Sequence, residues 1–259
     1  MGFATIERMG RTAIVRFDRN NRANALSLSL MRELTDVAAT LNEEDLSAVI
    51  LTGRPGVFSL GFDLKDAEAQ ALADAPLSER RKAFQIGRRM CRAWAELEPI
   101  TISAVSGWCV GGGLALAVST DFRTASEDAA FYAPEIERGM NMSWGSAPRI
   151  VNLIGPARAK RMIALAERVD AETAAAWGLV DAASPDPMAA ARALAARAEA
   201  MPPVALRMCK GAVDAYANAL SDAASWADFD QFALTRTSED YEEGVAAFLE
   251  GRPAKFSGR

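Results

Sequence analysis

The chain has 259 residues, a net charge of −5 from 29 basic and 34 acidic side chains, and no histidine. The missing imidazole excludes Ser-His-Asp and Cys-His nucleophile pairs, His-ligated metals and His general bases. Charges of both signs are interspersed, without a basic arm or stripe for nucleic acid or a membrane surface, and no apolar run approaches the length of a membrane span.

Acid–base chemistry near neutral pH therefore falls to Asp, Glu, Lys, Tyr or Cys. Cys91, Cys109 and Cys209 stand far apart in apolar surroundings with no CxxC pair, which predicts a reduced, cytoplasmic protein without a zinc site. The strand-like pattern begins at once, so no signal or transit peptide is expected. The length suits one large domain, or a domain with a subdomain.

In chain order, residues 4–9 and 12–18 read as a β-hairpin around Gly10-Arg11. A helix follows, with Ser27 as its N-cap and Leu30, Leu34, Val37, Ala38 and Leu41 as its apolar stripe. Residues 48–51 read as a buried strand, 57–63 as a second extended piece, and Leu64 as the start of a short helix. Residues 76–97 have the periodicity of one long amphipathic helix, with Phe84, Gly87, Met90, Cys91, Trp94 and Leu97 on one side.

Residues 101–105 are a β-branched strand leading into a turn at Gly107, after which Gly111, Gly112 and Gly113 open a wholly apolar helix. Without a Cβ, backbone can approach a ligand closely, and the unpaired N–H groups of a helix start favour anionic oxygen. No Gly-Lys-Ser/Thr closes the loop, and Leu116 breaks the dinucleotide pattern. An oxyanion hole is the reading that remains.

Short strands follow at 121–125 and 129–132, helices at 145–153, 156–167 and 172–177, and a last strand at 179–182. From Pro187 the pattern is helical, broken at Pro202-Pro203, and Ser238 begins a final helix. Strands crowd the first two thirds and helices the last, so the class is α/β with a helical C-terminal region.

Four stretches, in order and over nearly the whole chain, resemble the enoyl-CoA hydratase/isomerase (crotonase) superfamily. They are Phe-Ser-Leu-Gly-Phe-Asp-Leu-Lys at 58–65, Gly-Trp-Cys-Val-Gly-Gly-Gly at 107–113, Pro134-Glu135-Ile136, and the tail at 243–256. The resemblance implies a spiral of ββα repeats over residues 1–200 and a helical trimerisation region over 201–259, assembled as a homotrimer or a dimer of trimers. It also implies an acyl-CoA thioester as ligand, with no separate cofactor and no metal.

By that resemblance the amides of Phe62 and Gly112 form the oxyanion hole, and Glu135 is the catalytic acid/base. Each positioned donor lowers the barrier by roughly 3–4 kcal/mol. Arg22, Asn24, Ala25 and Lys65 match the region that meets the coenzyme's phosphates and adenine, although Arg22 and Lys65 also read as solvated surface charges. Leu60, Asp63, Trp108, Gly111 and Ser143 complete the implied substrate surface, with Lys255 and Phe256 near the coenzyme at a subunit boundary. Residue by residue, Asp63 also reads as a cap for a helix at Leu64. The Phe62 ring reads as a wall for the thioester or as core, and Met140, Met142 and Trp144 as an acyl pocket or as core.

One departure bears on the chemistry. Hydratases of this family carry a second glutamate two residues after the third glycine, where this chain has Ala115. Two carboxylates hold and split a water, whereas one suffices to move a proton between carbons. The expected reaction is therefore double-bond isomerisation, with hydration and non-catalytic acyl-CoA binding as alternatives. Glu137, Asp121 and Ser143 are the candidates for compensating the missing glutamate.

Overall fold

The computed structural model describes residues 2–72 and 74–259. Strands β1 (Ala4–Met9) and β2 (Thr12–Phe17) form the expected hairpin. Helix α1 (Leu28–Asn42) starts where Ser27 Oγ accepts the Leu30 N–H at 3.2 Å, and it buries Leu30, Leu34, Ala38 and Leu41.

From there the chain climbs in repeats. Strands β3 (Ala48–Thr52) and β4 (Val57–Ser59) precede helices α2 (Ala67–Ala71), α3 (Leu77–Phe84) and α4 (Ile86–Ala95). Strands β5 (Ile100–Val105) and β6 (Trp108–Val110) precede α5 (Gly112–Ala117). Strands β7 (Phe122–Ser126) and β8 (Ala130–Tyr132) precede α6 (Ser146–Ala164). In each repeat the first strand joins a six-stranded sheet of order β1-β2-β3-β5-β7-β10, and the second joins a four-stranded sheet of order β4-β6-β8-β9. Strand β9 (Val169–Asp170), helix α7 (Ala171–Trp177) and β10 (Ala182–Ser184) close the two sheets. This alternation between sheets is the spiral that the resemblance implies.

The main core lies between the sheets and the helices α1, α4 and α5, with Leu34, Met90, Trp94, Leu114 and Phe131 fully buried. Trp94 ties α4 to α1 by donating its indole N–H to the Leu34 carbonyl at 3.1 Å. A smaller core on the other face of the large sheet joins Ile14, Ile50 and Ile102 to Ala191, Ala195 and Ala198 of α8 (Pro187–Glu199). Helices α9 (Pro203–Ala217), α10 (Ser221–Ser225), α11 (Asp228–Thr235) and α12 (Glu239–Glu250) complete the chain. Much of this region's apolar surface is open, including Val204, Met208, Val213, Tyr216 and Trp226.

Several local expectations are corrected. The long helix over 76–97 is two helices meeting at Gln85, because α3 buries none of its residues while α4 buries Gly87, Met90, Cys91 and Trp94. The break expected between helices 145–153 and 156–167 is present by contrast: within α6, Gly155 has φ 76° and ψ 163°, which is not helical, and it divides the range into two helices just before Pro156. Leu179 and Val180 are core residues after the α7 cap, and the strand begins only at Ala182. Asp63 caps no helix at Leu64: its Oδ1 accepts the Lys65 N–H, and Asp66 caps α2 instead.

Arg123 is a buried cation with its donors placed on carbonyls of Leu179, Thr120 and Asp121, and with Asp181 at 3.7 Å. It sews β7 to the connection that leads into β10. Arg123→Met strands those acceptors, and we expect a loss of about 3 kcal/mol of unfolding free energy, read as a lower urea midpoint at unchanged slope.

Candidate active site

Three neighbouring strands of the small sheet build the site. Strand β4 pairs parallel with β6, and β6 pairs parallel with β8. Their carboxyl ends lie side by side, where ligands of α/β proteins commonly bind. Phe62 follows the end of β4, Gly112 the end of β6, and Glu135 the end of β8. The Gly111 N–H donates to the Tyr132 carbonyl at 2.8 Å and locks the second and third of these ends together.

Phe62 forms a parallel bridge with Leu26. The bridge uses the flanking peptides, with Leu26 N–H donating to Gly61 O at 2.8 Å and Asp63 N–H to Leu26 O at 3.0 Å. Bridge geometry turns the N–H of Phe62 itself to the opposite side. There it meets Gly112, the first residue of α5, whose N–H has no partner within the helix. The two amides are close: a Cβ built on Gly112 would lie 3.4 Å from Phe62 N, and one on Gly61 3.1 Å from Gly112 N. Gly61, at φ 87°, could take a side chain only with strain and with a clash on the Val110 carbonyl.

Glu135 completes the triangle. Its Oε1 lies 2.7 Å from where a Cβ on Gly111 would stand, and Gly111 has φ 52°, so a side chain there would be strained and would displace the carboxyl. Its Oε2 is shielded from solvent and has no hydrogen-bond partner, although the residue as a whole is partly exposed. Burial raises the Glu135 pKa from 4.5 to about 7, outweighing its own backbone N–H and the Arg138 guanidinium, which both lower it. Ile136–Arg138 form only one 3-10 turn, so a helix start offers the Glu135 carboxylate little to set against burial.

Arg138 is a site residue that the sequence reading missed. Its signal was the Glu-x-x-Arg spacing, which places both side chains on one side of a helical turn. Its guanidinium lies 4.0 Å from the Phe248 ring of α12. Gly244 of the same helix presses on the Arg138 backbone, where any Cβ would stand 2.6 Å from Arg138 Cα. The C-terminal helix thereby holds the turn that carries Glu135.

The other expected site residues fall into groups. Residues 22–26 run along 60–63, tied by Leu60 N–H to Ala23 O at 3.0 Å, so Arg22, Asn24, Ala25, Leu60, Asp63 and Lys65 share one edge of the site. Asn24 is buried, with its amide spent on Phe17 and Phe58 carbonyls and its Oδ1 on the Arg19 N–H. Asp63 sits 3.4 Å from Arg19. Arg22, Lys65 and Leu60 are exposed.

Trp108 is exposed at the start of β6, away from its glycine end. The Ser143 carbonyl accepts from Ser146 beneath the adjoining loop. In the tail, the Lys255 N–H donates to Glu243 at 2.8 Å and the Ser257 N–H to Asp240, so Lys255 and Phe256 are tied to α12.

Of the groups considered as a substitute for a second glutamate, Asp121 is taken up by Thr101 and Lys210, and Glu137 by the Tyr132 hydroxyl. Among the described residues no cluster of three acidic or cysteine side chains is arranged to hold a metal, and no helix is long and apolar enough to cross a membrane.

An unfolded glutamate loses its proton near pH 4.5, and the folded one near 7. Stability contributed by the neutral form is complete below pH 4.5 and is lost as pH rises toward 7, by up to about 3 kcal/mol. Glu135→Gln is therefore expected to leave stability unchanged at pH 4 and to raise it by about 2–3 kcal/mol at pH 8, measured by urea unfolding at both.

A family model for enoyl-CoA hydratase/isomerase matches residues 7–259. A probable enoyl-CoA hydratase of Mycobacterium bovis is 33% identical, covering 98% of this chain and 97% of its own. A short-chain-enoyl-CoA hydratase of Clostridium acetobutylicum is 30% identical over 95% of this chain and 94% of its own. The crystal structure of an enoyl-CoA hydratase from Mycobacterium avium subsp. paratuberculosis superposes with a TM-score of 0.87 at 25% identity, covering 99% of both chains. With the spiral of two sheets and the match over nearly its full length, the chain belongs to the enoyl-CoA hydratase/isomerase family.

Proposed function

We infer that the protein binds an enoyl-CoA thioester with its carbonyl oxygen between the Phe62 and Gly112 amides, and that Glu135 alone moves the proton. The preferred reaction is the shift of a double bond from the 3- to the 2-position. The observation that carries this reading is the Glu135 carboxyl lying against Gly111, the residue before Gly112, with its Oε2 shielded from solvent and without a hydrogen-bond partner.

In the ionised form Glu135 takes a proton from C2 of a 3-enoyl thioester. The electron pair delocalises onto the thioester oxygen, where the two N–H groups stabilise the negative charge. The same carboxyl, now protonated, returns the proton at C4, and the double bond comes to rest between C2 and C3. A group with a pKa near 7 suits both halves, since it accepts and releases the proton without a large penalty. Ala115, buried within α5, supplies no second carboxyl, and Asp121 and Glu137 are engaged elsewhere.

Water addition to a 2-enoyl thioester is the second reading. It is favoured by the names of the relatives from Mycobacterium bovis and Clostridium acetobutylicum, both hydratases. The open apolar surface of α9 and of Leu220 and Trp226 flanking α10 supports assembly into trimers or hexamers, and the free cysteines suit a reducing, cytoplasmic setting.

Incubation with 3-enoyl-CoA and 2-enoyl-CoA tests the reading. We expect bond migration to outpace hydration, and Glu135→Gln to lower kcat by about 10³-fold while binding persists. Fast hydration without migration would reverse the preference, and binding without either reaction would make the protein a carrier. Because the base form reacts, kcat/KM should rise with pH to a plateau, with its midpoint near 7.

A further inference from the structure

Trp144 occupies an unusual place for a large side chain. Its φ is 63°, and Gly145 follows at 68°, so two successive residues adopt left-handed backbone in which a bulky residue is strained. The strain is held from outside the loop. Asp228, buried at the start of α11, accepts the Gly145 N–H at 2.8 Å, and its carbonyl receives the Asn141 amide at 3.2 Å. The conformation turns the indole inward between two glycines on different helices. A methyl on Gly87 of α4 would collide with the indole at Cε2, and one on Gly112 would lie 2.5 Å from Cζ3. The chain thus lacks side chains at the two points where the ring needs space, and one of them is an oxyanion donor.

We propose that Trp144 is the specificity-determining wall of the acyl site, stopping the acyl chain shortly past the reacting carbons so that short enoyl groups are accepted and long ones refused. The inference rests on the enoyl-CoA reading of the site. A thioester oxygen bonded to both amides must lie about 2.9 Å from each. Phe62 N is 3.4 Å from the same Gly112 position that the indole overhangs, so the first acyl carbons start beside the ring. Indole is rigid, turning about two side-chain bonds only, and here the slot between Gly87 and Gly112 fixes both. Met142, two residues earlier, is buried in the core against which Trp144 packs.

Steady-state kinetics with 4-, 8- and 12-carbon enoyl-CoA thioesters tests the proposal. Wild-type kcat/KM is expected to fall at least 100-fold from the 4- to the 12-carbon substrate. Trp144→Ala should raise the 12- to 4-carbon ratio at least tenfold, through KM for the long substrate. Trp144→Phe, which keeps a ring in the slot, should raise it less, and it preserves the test should the alanine variant fail to fold. Gly87→Ala, which forces the indole toward the amides, should lower turnover of even the 4-carbon substrate. A flat wild-type profile, or a ratio unmoved in both Trp144 variants, overturns the proposal. A wild-type protein inert toward every chain length would instead overturn the enoyl-CoA reading beneath it.

Discussion

Parallel pairing of three short strands is the constraint on which the rest of the molecule depends. β4, β6 and β8 each span only three residues, yet their hydrogen-bonded register brings the ends of three spiral turns together. No one segment of chain holds the candidate site: the Phe62 amide, the Gly112 amide and the Glu135 carboxyl come from successive repeats. The large sheet supplies the rigidity, with five residues of β3 buried between β2 and β5. Its cores hold α4 and α5 in place, and those helices in turn frame the small sheet's open end.

The chemistry follows from how these ends are dressed. Glycine at 111 and 112 brings backbone and carboxyl closer than any side chain would allow, and the short turn after β8 offers Glu135 little compensation for leaving water. An acid in such a place remains partly protonated at neutrality. On the proposed function, the cost in stability is the counterpart of its usefulness in proton transfer, a trade frequent at functional positions. Arg138, braced by the Phe248 ring, limits how far the carboxyl is pushed.

Much of this was legible from residue order. The Ser27 cap, the hairpin and the triple glycine have local causes, a capping hydroxyl, alternation and the absence of Cβ, and each is found as expected. Glu135 and the Phe62 amide are pointed to by the family resemblance, since no local pattern singles them out. Less legible were features set by tertiary partners. Three-residue strands such as β6 carry too little pattern to be told from a turn. The division of residues 76–97 at Gln85 arises because α3 has no core to face, which periodicity cannot register. Arg138 and Gly87 matter through neighbours far away in sequence, Phe248 and Trp144.

The lodging of Trp144 has an optical consequence. Of the chain's five tryptophans, Trp94 is sealed in the core and Trp108 and Trp226 face solvent, while Trp144 overhangs Gly112. Indole emission follows the polarity of its surroundings, and on the proposed function a carbonyl seated on the Phe62 and Gly112 amides changes them along one edge of this ring. On that reading the molecule carries its own fluorescent gauge of occupancy.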